Sequence, residues 1–456
     1  MAGNFVCAAL PSISQHMNTV LRDAPEYISN ESVNKFFLEN CDKFLSSIGV
    51  AFPSTNKAFS DQVITRYEKM LDKFLQLGYL KDCEIIIDSA GFQIQTGQLK
   101  KEDTGLFIEL YHKFLAENYN KFKYAFTLDI APGASDSVYD SWAELEDYNA
   151  RSYRKATELP KEVRDKMLYI HHFRTPQINR INKKLLFEEK LGDYFQNFAT
   201  GGLVSFSKSS QIFPCILYII PLIQILTRAK ARGLKSFRFH ALGASEFKDI
   251  VFHKLVELHI KKTLDIDIEI TYDSSTLFKV LMMGRYVYVL DDNKLWKMTL
   301  REDLLHNQWR KKGTDESVWY NLLENISKDY GFKILDSVND PIYQDHSMTR
   351  ITYSYGIFQV LQTFNLVDKL SSELVKDIYG LYEAGQIVTF DDKIEKLMLD
   401  FNCGKTSKRI QTRTVSIYNS LKALEELDLD YCDFLVNNFM AADECQKLSG
   451  GVVTCF

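Results

Sequence analysis

Between residues 84 and 275 the chain alternates short apolar runs with longer stretches of helical period. The runs are "EIIIDSAG" (84–91), "YAFTLDIAPG" (124–133), "KMLYIHHF" (166–173), "FATGGL" (198–203), "SFRFHALG" (236–243) and "DIEITYDSS" (267–275). They recur roughly every 30 to 42 residues, the spacing of a strand plus a crossover helix. Between the first two, "TGLFIELYHKFLAENY" sets Leu106, Phe107, Leu110, Phe114 and Leu115 on the helical period. Repeated β–α units of this kind predict a parallel sheet, and their number in a chain of this length favours a (β/α)8 barrel over a doubly wound sheet. Most of that barrel is expected within residues 1–300. Beyond it, "GRYVYVLDDNKLWKM" alternates around Asp291-Asp292-Asn293 as a hairpin does. Residues 301–400 read as an inserted or appended, charged, mainly helical region, with "QWRKKGTDE" as an exposed turn. Residues 401–456 carry the long amphipathic pattern "TVSIYNSLKALEELDLDYCDFLVNNFM", a helical segment placed to close the barrel, with "ELDLDYCD" on its solvated face.

The ends of the runs change the picture. In a (β/α)8 barrel the chemistry sits where strands end and βα loops begin. Here the strands end on Asp88, Asp129, His171-His172, Gly201-Gly202-Leu203, His240 and Asp273. A single terminal Asp is also a common helix cap, and a terminal His is often a packed, hydrogen-bonded side chain. Three acids, each behind apolar residues, fit a converging pocket better than a set of caps. After Asp88 come Ser89, Ala90 and Gly91, which let a flat ligand approach the backbone, then Phe92, a ring to stack on it, and Gln93, an amide. Gly201 and Gly202 would expose backbone N–H groups to a ligand oxygen in the same way. A planar, polar heterocycle such as a purine suits both loops.

Composition narrows the setting. With 456 residues, 46% hydrophobic, the chain can bury a large core, and a formal charge of −5 argues against a generally basic nucleic-acid binder while allowing a local basic face. Eight cysteines stand singly, without a CxxC or CxC pair, so neither a disulfide framework nor a zinc knuckle is written in the spacing and a reducing, cytoplasmic compartment is expected. The opening "MAGNFVCAALPSISQHM" lacks the charged and apolar regions of a signal peptide. "CILYIIPLIQIL" (215–226) is too short to span a bilayer and reads as a buried helix, so no membrane is implied.

In order along the chain, "DSAGFQ" (88–93), "FTLDIAP" around Asp129, the Gly-Gly-Leu of 201–203, "HALGAS" (240–245) and "ITYDSS" around Asp273 resemble the motifs of the guanine transglycosylases, a family that includes the tRNA-guanine transglycosylases and the DNA-modifying DpdA-type enzymes. The resemblance covers about residues 80 to 300, and its strength lies in the order of five motifs that are each weak alone. It implies Asp273 as nucleophile and Asp88 as general acid/base. It also implies a base held by Ser89, Asp129, Gly202 and Leu203, with Phe92 and Leu242 sandwiching the ring. "IHHFRT" stands where the family carries a glutamine, which makes His172 a candidate base contact. The implied substrates are a nucleic acid and a free 7-deazaguanine, with no cofactor, and the resemblance leaves room for self-association or an accessory protein. One departure is informative: the family's tRNA-type members carry a CxCxxC triplet and a downstream His for zinc, whereas this chain has lone Cys403 and Tyr418 in place of the His. No structural zinc is expected, and DNA is favoured over tRNA as the polymer, with Arg310, Lys311, Lys312, Lys405, Lys408 and Arg409 as candidate phosphate contacts. By itself "KTSKRIQTR" (405–413) reads as a solvated face, and it becomes a phosphate contact only inside a nucleic-acid enzyme. A retaining glycoside hydrolase, which also sets two carboxylates on a barrel, and a silent partner subunit of a transglycosylase are the other readings.

Overall fold

The structure, a computed structural model, describes residues 2–8, 10–52, 59–95, 98–130, 141–173, 175–201, 203, 214–244, 246–274, 287–291, 294–298, 326–333, 347–401 and 415–439. Eight parallel strands form a closed barrel in chain order: β1 (Phe5–Cys7), β2 (Lys43–Ser47), β3 (Glu84–Asp88), β4 (Tyr124–Phe126), β5 (Met167–Ile170), β6 (Asn197–Thr200), β7 (Ser236–Ala241) and β8 (Asp267–Ser274). The sheet closes where Phe5, Val6 and Cys7 of β1 pair with Tyr272, Asp273 and Ser274 of β8. The helices that follow the strands are α1 (Leu10–Asp23) and α2 (Asn30–Asn40), α3 (Gln62–Leu75), α4 (Lys101–Asn118), α5 (Trp142–Thr157), α6 (Pro176–Lys183), α7 (Ile219–Ala231) and α8 (Phe247–Leu264). The expected (β/α)8 barrel is therefore present.

Strand alternation sorts each strand into an outer and an inner face. The outer faces and the helices share one large apolar core. The inner faces fill the barrel with a second, separate cluster: Val6, Leu45, Ile86, Phe126, Leu168, Ile170 and Ala199. Below it, at the strands' N-terminal ends, Arg238 plugs the barrel between Glu84 and Glu269 and lies 4.1 Å over the Tyr124 ring. Above it the same parity turns Asp88, His172, Gly201, Leu242 and Asp273 toward the mouth.

After β8 the chain forms the hairpin β9 (Val287–Asp291) and β10 (Lys294–Met298), with Asp291 opposite Lys294 as the alternation predicted. The long helix α9 (Ser347–Glu383) then packs against α1, α2 and α8, the place of an eighth helix in the ring. Helices α10 (Ile387–Asp400), α11 (Ile417–Glu426) and α12 (Leu429–Phe439) form an outer layer over α6, α7 and α8. The single long helix expected over the last two is broken at Leu427, whose φ of 54° is left-handed, and Asp428 caps the next helix by accepting the Tyr431 N–H at 3.0 Å. "ELDLDYCD" is thus a helix junction rather than a solvated face, and its Cys432 is fully buried. The 215–226 run is a buried helix as expected, whereas Leu106, placed on the core face of α4, is 45% exposed. No helix among the described residues is long and apolar enough to cross a membrane.

Candidate functional site

Three carboxylates meet at the C-terminal mouth of the barrel, each fixed by a different local device. Asp88 ends β3 in register with Ser47 of β2. Burial, and then the negative charges of Asp129 and Asp273, push its pKa up to about 6, with the Ser47 hydroxyl and the Ala90 N–H favouring the ionised form and acting downward. Ala90 has φ of 71°, a conformation that costs a non-glycine residue about 1 kcal/mol or more and that bends the chain sharply between Asp88 and Gly91. Gly91 then begins a short helical turn, Gly91–Gln95.

Asp129 lies beyond the end of β4, on a loop fastened to α5. The Asn149 side chain accepts from the Ile130 N–H at 2.8 Å and donates to the Ile130 carbonyl at 3.1 Å, while Ser152 donates to the Leu128 carbonyl at 2.7 Å. The carboxylate is buried and faces two side chains: the Ser89 hydroxyl donates to Oδ1 at 3.3 Å, and His172 Nε2 lies 2.6 Å from Oδ2. His171 and His172 part company by strand alternation. His171 points outward, where Nε2 meets Gln224 Oε1 at 2.5 Å and burial pushes its pKa down to about 4, so it is a packing residue. His172 points into the mouth, its backbone N–H held by Asn182 Oδ1 at 3.2 Å.

Asp273, on β8, is gripped on one oxygen. Oδ1 accepts the Gly243 N–H at 2.9 Å and lies 3.2 Å from His240 Nε2, while His240 Nδ1 faces the Thr271 hydroxyl at 2.8 Å. Oδ2 carries no hydrogen bond from the described residues, and the side chain remains 15% exposed. A carboxylate held this way has one oxygen to orient it and one to react. No lysine or arginine pairs with any of the three acids among the described residues; their basic neighbours are His172 and His240.

Glycine at position 201 is needed for this arrangement, since a Cβ there would sit 2.7 Å from His172 Cε1 and 3.6 Å from a Leu242 methyl. Leu203 is buried near the same loop, and Leu242 packs on top of the inner apolar cluster. Asp88, Ser89, Asp129, His172, Gly201, Leu242 and Asp273 therefore come together. Gly202 and the Phe92 side chain lie outside the described residues, as do Arg310, Lys311, Lys312, Lys405, Lys408 and Arg409. One contributor escapes a reading by motif: Ser47 belongs to a strand with no motif of its own, whereas His240, the first residue of "HALGAS", is oriented by cross-strand register with Thr271.

Far from the mouth, Tyr418 packs its ring 4.7 Å from that of Tyr382 and donates its N–H to the buried Asp391, which also accepts from the Ser416 hydroxyl. The start of α11 is thus tied to α10 by an Asp cap and aromatic packing. Among the described residues no group of three or more His, Cys, Asp or Glu side chains is arranged to hold a metal ion. In comparisons with known proteins, no protein-family model and no curated protein matches the chain.

Proposed function

We propose that this protein is a nucleic-acid guanine transglycosylase that exchanges guanine in DNA for a 7-deazaguanine of the preQ0 type. The observation that carries the reading is the cluster of three acids at one barrel mouth, with Asp88 raised to about 6 by burial and by the charges of the other two. Their environments differ, and differing environments assign roles. The free oxygen of Asp273 attacks C1′ of the target nucleotide; the C1′–N9 bond breaks, and its electron pair leaves with the base. Asp88, whose pKa raised to about 6 keeps a protonated fraction within reach of neutral pH, gives its proton to the departing base. The result is a glycosyl ester on Asp273 that keeps the sugar and both phosphates in the strand. Asp88, now a carboxylate, takes the N9 proton of the entering deazaguanine, whose N9 attacks C1′ and releases Asp273. In a duplex the target nucleotide must first leave the stack.

The order of the five motifs supports guanine as the base. DNA rather than tRNA is favoured because Cys403 stands alone and Tyr418 is used for packing, so the zinc element of tRNA-type enzymes has no counterpart in the sequence. The deciding experiment incubates the protein with radiolabelled guanine-containing DNA or tRNA and a 7-deazaguanine. Loss of label from DNA is expected. Exchange confined to tRNA would replace the polymer, and sugar release without exchange would point to a glycoside hydrolase.

A further inference from the structure

One buried imidazole makes no hydrogen bond to the three acids among the described residues, yet it holds the chain on both sides of Asp273 and its amide donor. His253, on α8, is fully buried with each ring nitrogen in use: Nδ1 lies 3.1 Å from the Tyr218 hydroxyl and Nε2 lies 2.9 Å from the Ala244 carbonyl. A carbonyl can only accept, so the proton is on Nε2 and the Tyr218 hydroxyl donates to Nδ1. Burial pushes the His253 pKa down to about 3, and the ring keeps this neutral form at any working pH. Its face stacks on Tyr272, the residue before Asp273, with centroids 5.0 Å apart. Ala244, held by the ring edge, is the residue after Gly243. The turn around Gly243 is pinned on either side. Leu242 donates its N–H to the Thr200 carbonyl at 2.9 Å, Ala244 donates back to the Ala241 carbonyl at 3.2 Å, and the Ala244 carbonyl accepts from His253. Gly243 passes between these clamps with a left-handed φ of 77°, and its N–H meets Asp273 Oδ1 at 2.9 Å.

Resting on the transglycosylase reading, we infer that His253 is a positioning residue for the nucleophile: it fixes the turn whose amide grips Asp273 Oδ1 and the strand residue that precedes Asp273, and so keeps Oδ2 free to attack. Once the Cβ of an aspartate is placed, a grip on one oxygen sets the direction of the other. An apolar side chain at 253 could also pack against Tyr272, but it would leave the Ala244 carbonyl buried and unpaired, and the turn would move to find a donor. Displacing a reacting group by about 1 Å costs roughly 100-fold in rate. One turn further along α8, Glu257 accepts the Ile270 N–H of β8 at 2.7 Å. The same helix thus steadies the strand on both sides of its last inward-facing residues.

The test compares two amides at one site. In His253→Gln the side-chain N–H stands as many bonds from Cβ as Nε2 does and still reaches the Ala244 carbonyl; in His253→Asn it ends one bond short. Single-turnover exchange of labelled guanine for a 7-deazaguanine, with the full-length protein in saturating excess over guanine-containing DNA or tRNA, gives a limiting rate that a partly folded sample does not change. His253→Asn should lower that rate about 10- to 100-fold, while His253→Gln keeps most of it. Polymer affinity, by fluorescence anisotropy, should match the wild type in both, since His253 meets no substrate. Equal limiting rates in the two variants overturn the assignment of His253 alone, whether both match the wild type, as a scaffold role predicts, or both fall. If His253→Asn does not fold, Tyr218→Phe takes its place, since it removes only the hydroxyl that holds Nδ1; a lowered limiting rate is expected and a wild-type rate overturns the assignment. Absence of exchange by the wild-type protein on both polymers overturns the transglycosylase reading and this inference with it.

Discussion

The two ends of the barrel are built from the same strands and the same kinds of side chain, and they solve opposite problems. On β3, Glu84 faces the floor and Asp88 the mouth; on β7, Arg238 and His240; on β8, Glu269 and Asp273. At the floor every charge is matched. Arg238, its side chain 8% exposed, holds Glu84 at 3.2 Å and Glu269 at 2.7 Å, and Lys123 approaches Glu84 at 3.7 Å. At the mouth three acids share only histidines among the described residues. A matched cluster seals and registers a barrel, because its groups have nothing left to offer a ligand. An unmatched one is held in place at a cost to stability, and what it retains is reactivity.

That contrast can be broken most sharply at Asp273. Asp273→Ala should lower base exchange by on the order of 10^4-fold or more while leaving the unfolding midpoint nearly unchanged, because the side chain contributes little packing. Single-turnover exchange and a denaturation curve on the same sample check both halves. The mirror experiment is Arg238→Met, which should leave Glu84 and Glu269 without their partner and cost about 3–5 kcal/mol of stability, measured by urea unfolding. Equal stability in that variant would mean the floor cluster is dispensable.

Asp88→Asn sharpens the comparison through pH. The folded protein raises the Asp88 pKa from its ordinary 3.8 to about 6, so the unfolded chain gives up this proton more readily than the folded one. The resulting penalty on stability is absent below about pH 4, grows between pH 4 and 6, and is full above 6. The amide should therefore stabilise the protein by roughly 1–3 kcal/mol at pH 8 and leave it unchanged at pH 4, while abolishing exchange. Asp129→Asn should act more mildly on the fold and reduce the preference for guanine over adenine about tenfold, since an amide presents a donor where the base already has one. The smallest effect belongs to metal removal: a chelator should leave the melting temperature where it was, with elemental analysis finding no stoichiometric zinc.

Much of the barrel was legible because its strands are apolar on both faces and end on polar residues at a regular interval. Strands β3 to β8 coincide with the six predicted runs, β6 beginning one residue ahead of its run at Asn197. The first two strands did not announce themselves: "FVC" is only three residues, and "KFLSS" follows a helix without a turn signal, so both are fixed by tertiary pairing rather than local pattern. The same limit applies to the mouth. Asp88, Asp129 and Asp273 could be picked out because a carboxylate ending an apolar run is conspicuous, whereas Ser47 and Thr271 are ordinary residues until register sets them beside an acid or its histidine. The broken C-terminal helix shows the reverse case: "ALEELDLDYC" keeps a helical period across a residue that leaves the helix, because Leu427 in a left-handed turn carries no sequence mark.

The seam between β1 and β8 also sets the order in which the molecule becomes competent. Val6 lies directly opposite Asp273, so the strand that carries this acid gains its second neighbour only when the beginning of the chain returns to a segment more than 250 residues away. Contacts of such long sequence separation carry the largest loop-closure cost and form late. Residues 84 to 274 can assemble strand by strand from neighbours, with Gly243 and His240 holding Asp273, but the ring of strands around the mouth is complete only once β1 docks on β8. Completion of the mouth is thereby tied to completion of folding, and a chain stalled one strand short would hold the Asp88 and Asp129 loops in an open sheet rather than a closed barrel.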